Sequence, residues 1–246
     1  MLYKAKTLEG YTLDSFDGEI GKVKDFYFDD KHWTIRYLIA DTGNWISGRQ
    51  VLISPHALGP ASIKEQHIVV DLTKKQIEES PPLESDKPVS KQFEEAYYEY
   101  YNWPAYWSGT FLWGAYPNIS HTPAQAKKIA QIERTWDPNL RSIRSVTGHV
   151  IEATNGTIGR VDDFLVDDET WVIRYLIVDT QEWWLGKKVL VSPRWIDKIS
   201  WEESKVVVSL SLEAIRQSPE YIEGEPVTRE YETGLYQHYD QDGYWV

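Results

Sequence analysis

The chain has 246 residues, of which 41% are hydrophobic, and a formal net charge of −12. Nucleic-acid binding relies on clustered Lys and Arg, so this charge argues against direct contact with nucleic acid. The absence of cysteine excludes disulfides, thiolate nucleophiles and cysteine-built metal sites. No apolar run reaches the roughly 18 residues of a membrane span, and no signal-peptide pattern opens the chain, so a cytoplasmic protein without a membrane span is expected.

The sequence repeats itself at an offset of 138 residues. GEIGKVKDF at 18–26 returns as GTIGRVDDF at 156–164, and VLISP at 51–55 returns as VLVSP at 189–193. About 38 of the 98 positions from 10 to 107 are identical to their partners. This predicts a tandem duplication, with repeats at 1–107 and 139–246 and a unique linker at 108–138.

In chain order, each repeat begins with short strands. The glycines of GEIG and GTIG suit a turn or bulge that needs a residue without Cβ. In the first copy, a strand at 20–29, a polar connection at 30–32 and a strand at 33–41 predict a β-hairpin. Shorter strands follow, with Gly and Pro turns between them, at 51–54, 61–63 and 67–72. This spacing is typical of a small β-barrel, so the predicted class is mainly β with two tandem barrels.

Two helices are predicted after each barrel. The first begins at Thr73, which has capping-box spacing to Gln76, and its counterpart covers 211–217. The second begins after Ser90 and after Thr228, both suitable N-caps. An aromatic stripe at helical spacing predicts that this second helix docks on a barrel. The stripe positions are Phe93, Ala96, Tyr97, Tyr100 and Tyr101 in copy one, and Tyr231, Gly234, Leu235, His238 and Tyr239 in copy two.

The strand HWTIRYLIADT at 32–42 and its return TWVIRYLIVDT at 170–180 are apolar on both faces. A barrel strand with a solvated side would alternate between apolar and polar residues. We therefore expect the outer face of the barrel to be covered, by the docking helix or by the sister barrel. An intramolecular barrel–barrel contact with pseudo-twofold symmetry is the hypothesis for the second case.

The pattern G-x-x-I-G-x-V-x-D-F, an acidic turn, W-x-I-R-Y-L-I-x-D-T and V-L-x-S-P resembles the PRC-barrel family, named for the photosynthetic reaction centre H subunit. The C-terminal domain of a bacterial ribosome maturation factor is similar. The resemblance covers about 65 to 70 residues of each copy. It implies a PRC-type β-barrel that makes protein contacts, with no catalytic residue to carry across. We expect neither the transmembrane helix of the reaction centre subunit nor the N-terminal domain of the maturation factor in this chain.

Charged residues repeated in both copies are candidates for structural pairing. The acidic pairs Asp29-Asp30 and Asp167-Asp168 are interpreted as turn residues. A guanidinium among apolar strand residues needs a carboxylate partner, so ion pairing is predicted for a repeated set. That set is Arg36, Asp41, Arg174 and Asp179, with Asp25 and Asp163 as alternative partners and an anion site as the alternative role.

No pattern indicates catalysis or a bound cofactor. The six histidines show no metal-ligand spacing, and GEIG matches neither nucleotide-binding glycine motif and leads into a strand. The prediction is a protein that is not an enzyme, with no catalytic residue, no cofactor and no metal.

The stretch from Trp103 to Tyr116, where the first repeat passes into the unique linker, is rich in aromatic residues. Clustered exposed rings would mark an interaction surface, whereas the alternative is a loop whose rings pack against the barrels. The candidate surface comprises Trp103, Tyr106, Trp107, Phe111, Trp113 and Tyr116.

The expected function is a non-enzymatic module that binds another protein of unknown identity or assembles as a homo-oligomer. One alternative is a sensor that binds a small ligand or metabolite between the barrels or at the aromatic linker. Another is an accessory role at the ribosome or in a photosynthetic electron-transfer complex, by family analogy.

Overall fold

The computed structural model describes residues 1–43, 46, 50–80, 91–107, 140–180 and 186–245. Within them the strands are β1 (Leu2–Lys4), β2 (Thr12–Ser15), β3 (Gly18–Asp29), β4 (Thr34–Asp41), β5 (Gln50–Ile53), β6 (Leu58–Ser62), β7 (His67–Val70), β8 (Leu140–Ser142), β9 (Val150–Ala153), β10 (Gly156–Asp167), β11 (Ile173–Asp179), β12 (Lys188–Val191), β13 (Ile196–Ser200) and β14 (Lys205–Val208). The α-helices are α1 (Ala5–Leu8), α2 (Lys74–Glu78), α3 (Lys91–Tyr101), α4 (Ile143–Val146), α5 (Leu212–Gln217) and α6 (Arg229–His238). Single 3₁₀ turns occupy Pro55–Ala57 and Pro193–Trp195.

The chain forms two compact units. The first unit comprises Glu9–Ser142, and the second unit comprises Met1–Leu8 together with Ile143–Val246. Each unit carries a seven-stranded sheet with the same strand order, β5-β4-β3-β2-β7-β6 in the first unit and β12-β11-β10-β9-β14-β13 in the second. The predicted class of two tandem, mainly β, barrel-like domains is therefore confirmed, and in the described residues each sheet is an open path rather than a closed ring.

The seventh strand of each sheet comes from the beginning of the opposite repeat. β1 pairs antiparallel with β10 of the second unit, and β8 pairs antiparallel with β3 of the first unit. β1 and β8 are themselves equivalent under the offset of 138, as are β10 and β3. The two repeats thus exchange their first strands. The described residues on either side of the predicted linker 108–138 are Trp107 and Leu140, and both belong to the first unit. The boundaries drawn from the duplication itself stay a prediction.

The long hairpin of each unit depends on the second glycine of the G-x-x-G motif. A Cβ at Gly21 would lie 2.1 Å from the carbonyl oxygen of Asp41, and one at Gly159 would lie 2.0 Å from that of Asp179. Any side chain would separate the paired strands at this point. A glycine is therefore needed where the motif enters the long strand. At the other end of the hairpin, Trp33 takes a left-handed backbone with φ of 52°.

The predicted caps at Thr73 and Thr228 and the covered strand are confirmed, whereas the predicted cap Ser90 lies outside the described residues. Thr73 and Gln76 form a capping box on α2, and the Thr228 side chain accepts a hydrogen bond from the Tyr231 backbone N–H on α6. All residues of β4 from Thr34 to Ala40 are buried. The helix α3 supplies the cover, because Tyr97 and Tyr98 pack against a cluster from the sheet, namely Tyr37, Ile39, Leu52 and Leu140.

The predicted stripe is wrong by about one residue in both copies. The buried face of α3 consists of Glu94, Tyr97 and Tyr98, whereas Ala96 and Tyr100 are exposed. In α6 the corresponding face is Glu232, Leu235 and Tyr236, with Tyr239 at its end. The error arose because a hydrophobic pattern ignores glutamate, and in each helix a glutamate lies at the centre of the contact.

Candidate functional site

An arginine–aspartate pair lies at the end of each long hairpin. Arg36 Nη2 donates to Asp29 Oδ2 at 3.1 Å, and both residues are buried. In the second unit, Arg174 donates to Asp167 Oδ2 from Nε at 3.2 Å and from Nη2 at 3.0 Å. The aspartate therefore ties the last residue of one strand to the middle of the next.

The same aspartates close the hairpin turn. Asp29 Oδ1 accepts hydrogen bonds from the backbone N–H of Lys31 at 2.9 Å and of His32 at 3.3 Å, and Oδ2 contacts the His32 ring at 2.7 Å. Burial by itself would raise the pKa of Asp29, but His32, Arg36 and the turn backbone lower it overall. The pKa of Asp167 is lowered in the same way, against burial, by the turn backbone and Arg174.

Each arginine also stacks on a tyrosine from the C-terminal tail of its repeat. The Arg36 guanidinium carbon lies 4.0 Å from the centre of the Tyr106 ring, and that of Arg174 lies 4.1 Å from the Tyr244 ring. Such cation–π contacts add stability when they are shielded from water. They hold the tail against the hairpin in both units.

A buried glutamate links this tyrosine to the sheet. Glu94 Oε1 accepts hydrogen bonds from Tyr37 Oη at 2.9 Å and from Tyr106 Oη at 2.7 Å. Glu232 Oε1 does the same for Tyr175 at 2.8 Å and Tyr244 at 2.9 Å. We call each set of aspartate, arginine, glutamate and two tyrosines the hairpin network; the two networks are Asp29, Arg36, Tyr37, Glu94 and Tyr106, and Asp167, Arg174, Tyr175, Glu232 and Tyr244.

The electrostatics of the hairpin networks favour fixed hydrogen bonds over proton transfer. Burial, followed by the neighbouring Glu94, raises the pKa of both Tyr37 and Tyr106 well above 10. The pKa values of Tyr175 and Tyr244 in the second network are also raised, and burial is the largest cause. A general acid or base needs a pKa near the working pH, whereas these hydroxyls remain donors throughout the physiological range.

Three of the five residues in each hairpin network, the aspartate, the arginine and the tyrosine that follows it, lie in a stretch that a known family model also recognises. The model of the PRC-barrel domain matches the chain twice, at residues 3–77 and 149–212. The two matches together span more than half of the chain. The chain belongs to the PRC-barrel family. A search of the curated proteins found no match.

The PRC-barrel match ends before the tails that complete the networks. Tyr106 and Glu94 lie beyond residue 77, and Tyr244 and Glu232 lie beyond residue 212. The tail is thus an addition to the matched barrel in each repeat. The signal that identifies it in the sequence is duplication, since both residues return unchanged at the offset of 138.

Both arginines predicted to form ion pairs do so, but with the turn aspartates as partners. Asp41 is exposed, and its Oδ1 accepts a hydrogen bond from the Gly43 N–H at 3.0 Å. Asp179 is half-buried at the end of β11, opposite Lys188 in the strand register. The ion pairs that the structure gives the two arginines are with Asp29 and Asp167.

The alternative partners lie at a bulge in each long strand. Asp25 accepts hydrogen bonds from the Phe26 N–H at 2.7 Å and from the Ser142 hydroxyl on the exchanged β8. Asp163 accepts from the Phe164 N–H at 2.8 Å and from the Lys6 N–H at 3.2 Å, but its Oδ2 is buried with no hydrogen-bond partner. Burial raises the pKa of Asp163 to about 6.

Three of the six aromatic candidates lie within the described residues, and all three pack on the first unit. Trp103, Tyr106 and Trp107 are partly buried against the cluster around Tyr97 and Tyr98. The Trp103 ring stacks on Tyr101 with centroids 4.5 Å apart, and Trp107 meets Tyr98 at 5.1 Å. Phe111, Trp113 and Tyr116 lie outside the described residues.

Two general findings complete the description of the PRC-barrel chain. Among the described residues, no three His, Cys, Asp or Glu side chains come together as metal ligands would. Across the same part of the chain, no helix has the length and apolar character to cross a membrane.

Proposed function

We propose that this PRC-barrel protein is a non-enzymatic interaction or assembly module. The observation that carries the proposal concerns five residues that each repeat contains, an aspartate, an arginine, a glutamate and two tyrosines. In both units they bond to one another inside the hairpin networks, where they join barrel and tail. Groups committed to fixed buried hydrogen bonds stabilise a scaffold, and the family resemblance supports the same role.

We propose that the partner is another protein, whose identity is open. Its contact involves fewer than the six aromatic residues predicted from the sequence. Trp103, Tyr106 and Trp107 already pack within the first unit, so their replacement would damage the fold as well as any interface. Phe111, Trp113 and Tyr116 are therefore the residues to replace. Aromatic side chains of this kind dominate protein interfaces when a partner buries them.

The test is affinity purification with mass spectrometry from a native extract. The variant Phe111→Ser/Trp113→Ser/Tyr116→Ser is compared with the full chain and with a matched variant, Phe16→Ser/Ile63→Ser/Ile222→Ser, which replaces three exposed apolar residues elsewhere. We expect one protein to be retained by the full chain and the matched variant and to be lost with the aromatic variant. If the retained protein were lost only with the matched variant, the interface would lie at Phe16, Ile63 or Ile222 instead. If none of the three versions retained a protein, the proposal would be contradicted.

A further inference from the structure

The exchanged strand of the second unit is held by ion pairs that join Lys4 and Lys6 to Asp162 and Glu223. Lys6 Nζ lies 2.9 Å from Asp162 Oδ1, and Lys188 Nζ lies 2.8 Å from Asp162 Oδ2. Lys188 also lies 2.9 Å from Glu223 Oε2, and Glu223 in turn pairs with Lys4. These five residues form a chain of alternating charge that runs from β1 and α1 to β10, β12 and the segment before α6.

The ion-pair chain acts as a unit. Burial raises the pKa of Asp162, but Lys188 and Lys6 lower it by more. Lys4 and Lys188 likewise lower the pKa of Glu223. Single exposed ion pairs contribute little, but a network fixes the register of the groups it joins. Beneath it, Ala5 and Leu8 are buried in the second unit. Residues 1–8 are thus a short segment with both an apolar anchor and a charge pattern; we call them the exchange segment.

The charge pattern distinguishes the two equivalent sites in the chain. The position of Asp162 on β10 is taken by Lys24 on β3, and the position of Lys188 is taken by Gln50. Placed on β3, Lys6 would face a lysine instead of an aspartate. The strand that does pair with β3 carries Ser142 where β1 carries Lys4. The exchange segment is therefore matched to β10.

The exchange does not depend on both strands belonging to one chain. Every contact that the exchange segment makes with the second unit would be reproduced if the segment came from another copy. Only the effective concentration differs, and for a short connection this is on the order of millimolar. The chain passes between the units at Leu8–Glu9 and at Ser142–Ile143, where neighbouring residues belong to different units.

We propose that the partner of this surface is a second copy of the same chain, whose exchange segment occupies β10 and gives a strand-exchanged homo-oligomer. The inference deepens the proposed assembly function and rests on it. Its surface is β10 with Asp162 and Glu223, which is independent of the aromatic residues tested above. Capture of a different protein together with failure of the test below would therefore leave the proposed function standing and remove this inference alone.

Disulfide trapping tests the exchange, since the natural chain has no cysteine that would interfere. Tyr3 and Val166 are directly opposed in the register of β1 and β10. Two versions of different length, one with Tyr3→Cys and one with Val166→Cys, are unfolded together, refolded and oxidised. We expect a linked dimer that is abundant at about 1 mM protein and falls roughly in proportion to concentration below that.

The duplication provides a matched control. Phe28 on β3 is the equivalent of Val166 and pairs with Arg141. Tyr3→Cys mixed with Phe28→Cys should link at least about tenfold less, because Lys6 would then meet Lys24. Equal linking at the two sites, or none at Val166, would overturn the inference. A chain carrying both Tyr3→Cys and Val166→Cys should close on itself, and its failure to do so would remove the register on which the inference rests.

A charge swap between the two chains tests the ion-pair chain. Adding Asp162→Lys to the Val166→Cys chain should reduce the linked dimer several-fold, because the shared partner of Lys6 and Lys188 then carries the same charge as they do. Adding Lys6→Glu to the Tyr3→Cys chain should restore it. Linking that is insensitive to both changes would show that the charges do not select the site, which contradicts the inference.

Discussion

At the scale of single residues, the two equivalent aspartates at the bulges show how one exchanged side chain changes a neighbour. Asp25 accepts a hydrogen bond from Ser142 of β8, whereas the residue at that position on β1 is Lys4, which turns to Glu223 instead. Asp163 is consequently left with a buried oxygen that no donor reaches. A carboxylate without a partner in a buried site is disfavoured, so the neutral form gains.

This predicts a pH-dependent effect of Asp163→Asn. The native carboxyl keeps its proton up to about pH 6, whereas the usual value is 3.8, so the folded state binds more protons between these values. The stability contributed by this group is present below about pH 4 and is lost as the pH rises through 6, by up to about 3 kcal/mol. Asn cannot ionise, and the variant should therefore gain stability relative to the natural chain as the pH rises from 4 to 7.

Urea unfolding at several pH values measures the difference in free energy of unfolding between the variant and the natural chain. The contributions of the other carboxyl groups are the same in both proteins and cancel. The groups that face Asp163 in the structure are Lys4 and Lys6 from the exchange segment and Tyr221 from the tail. Asp25→Asn is the matched control, and it should destabilise the protein at pH 7 because it disturbs the bond with Ser142. A difference for Asp163→Asn that is constant with pH would contradict the prediction.

The buried glutamate of the hairpin network predicts a large local effect. Glu94→Ala removes the acceptor of two tyrosine hydroxyls, those of Tyr37 and Tyr106, and leaves both in a buried site. Each unsatisfied group costs about 1–3 kcal/mol, so for the two hydroxyls we expect a loss of about 2–6 kcal/mol in the free energy of unfolding. The neighbouring residue Glu95 is exposed, and Glu95→Ala should change the stability by less than about 0.5 kcal/mol. Similar values for both variants in urea unfolding would show that the network contributes little.

At the scale of elements, the duplication was a better guide to the tail helix than its periodicity. The positions identical in both copies of the helix are Glu94, Tyr98 and Tyr101, matched by Glu232, Tyr236 and Tyr239. They are the ones that face the sheet or lie beside it. Hydrophobicity instead selected Ala96 and Tyr100, because a tyrosine is counted as apolar whether or not its hydroxyl has a partner. The strands and caps could be predicted because their signals are local.

The ion pairs show a different limit of sequence reasoning. The need of Arg36 for a carboxylate follows from its apolar surroundings, but the choice among Asp25, Asp29 and Asp41 depends on the bulges in β3. The register of β3 against β4 shifts between Tyr27 and Phe28, so alternation along one strand does not tell which residues meet. Asp29 was interpreted as a turn residue, and it holds the turn and the arginine together.

The close approach of the long hairpin strands predicts opposite effects for two glycines of the second unit. In Gly159→Ala the new Cβ would meet the carbonyl oxygen of Asp179 at 2.0 Å, and the strands would have to separate. Overpacking of this kind costs about 1–3 kcal/mol or more. Gly234 lies in α6 with no atom within 4 Å of an added Cβ, so Gly234→Ala should stabilise the helix by about 0.5–1 kcal/mol.

Thermal unfolding of the two variants checks the sign as well as the size of these effects. Both replacements add one methyl group to a glycine of the same unit, so they differ mainly in the space around it. A midpoint that rises for Gly159→Ala, or that falls for Gly234→Ala, would be inconsistent with the packing described here.

At the scale of the whole molecule, the exchange of first strands could not be predicted from the repeat. β1 and β8 are equivalent in sequence, and so are β3 and β10. A strand that stays in its own repeat and a strand that crosses to the other therefore satisfy the same hydrophobic pattern. The two arrangements differ in the charge at a few positions, such as Asp162 on β10 and Lys24 on β3. This difference can be interpreted only when the partner of Lys6 is known.

The exchange predicts that removing residues 1–8 damages the unit built from the other repeat. The second unit would lose the pairing of β1 with β10 and the buried side chains of Ala5 and Leu8. The first unit keeps β8 on β3 and should be affected less. Hydrogen exchange followed by mass spectrometry measures this directly. Peptides from β10 should exchange faster in the truncated chain, while peptides from β3 keep their protection.

Leu140→Ala provides the reciprocal experiment. Leu140 belongs to the cluster in which Tyr97 and Tyr98 meet the sheet of the first unit, and its loss leaves a cavity there. Large-to-small replacements in a core cost about 2–5 kcal/mol, so β3 and α3 should now exchange faster, with β10 unchanged. The opposite result would be faster exchange of β3 after removal of residues 1–8 and faster exchange of β10 in Leu140→Ala. Each first strand would then belong to its own repeat in solution. The crossed pattern of protection is what a reciprocal exchange requires, because each unit then depends on a strand that the other repeat contributes.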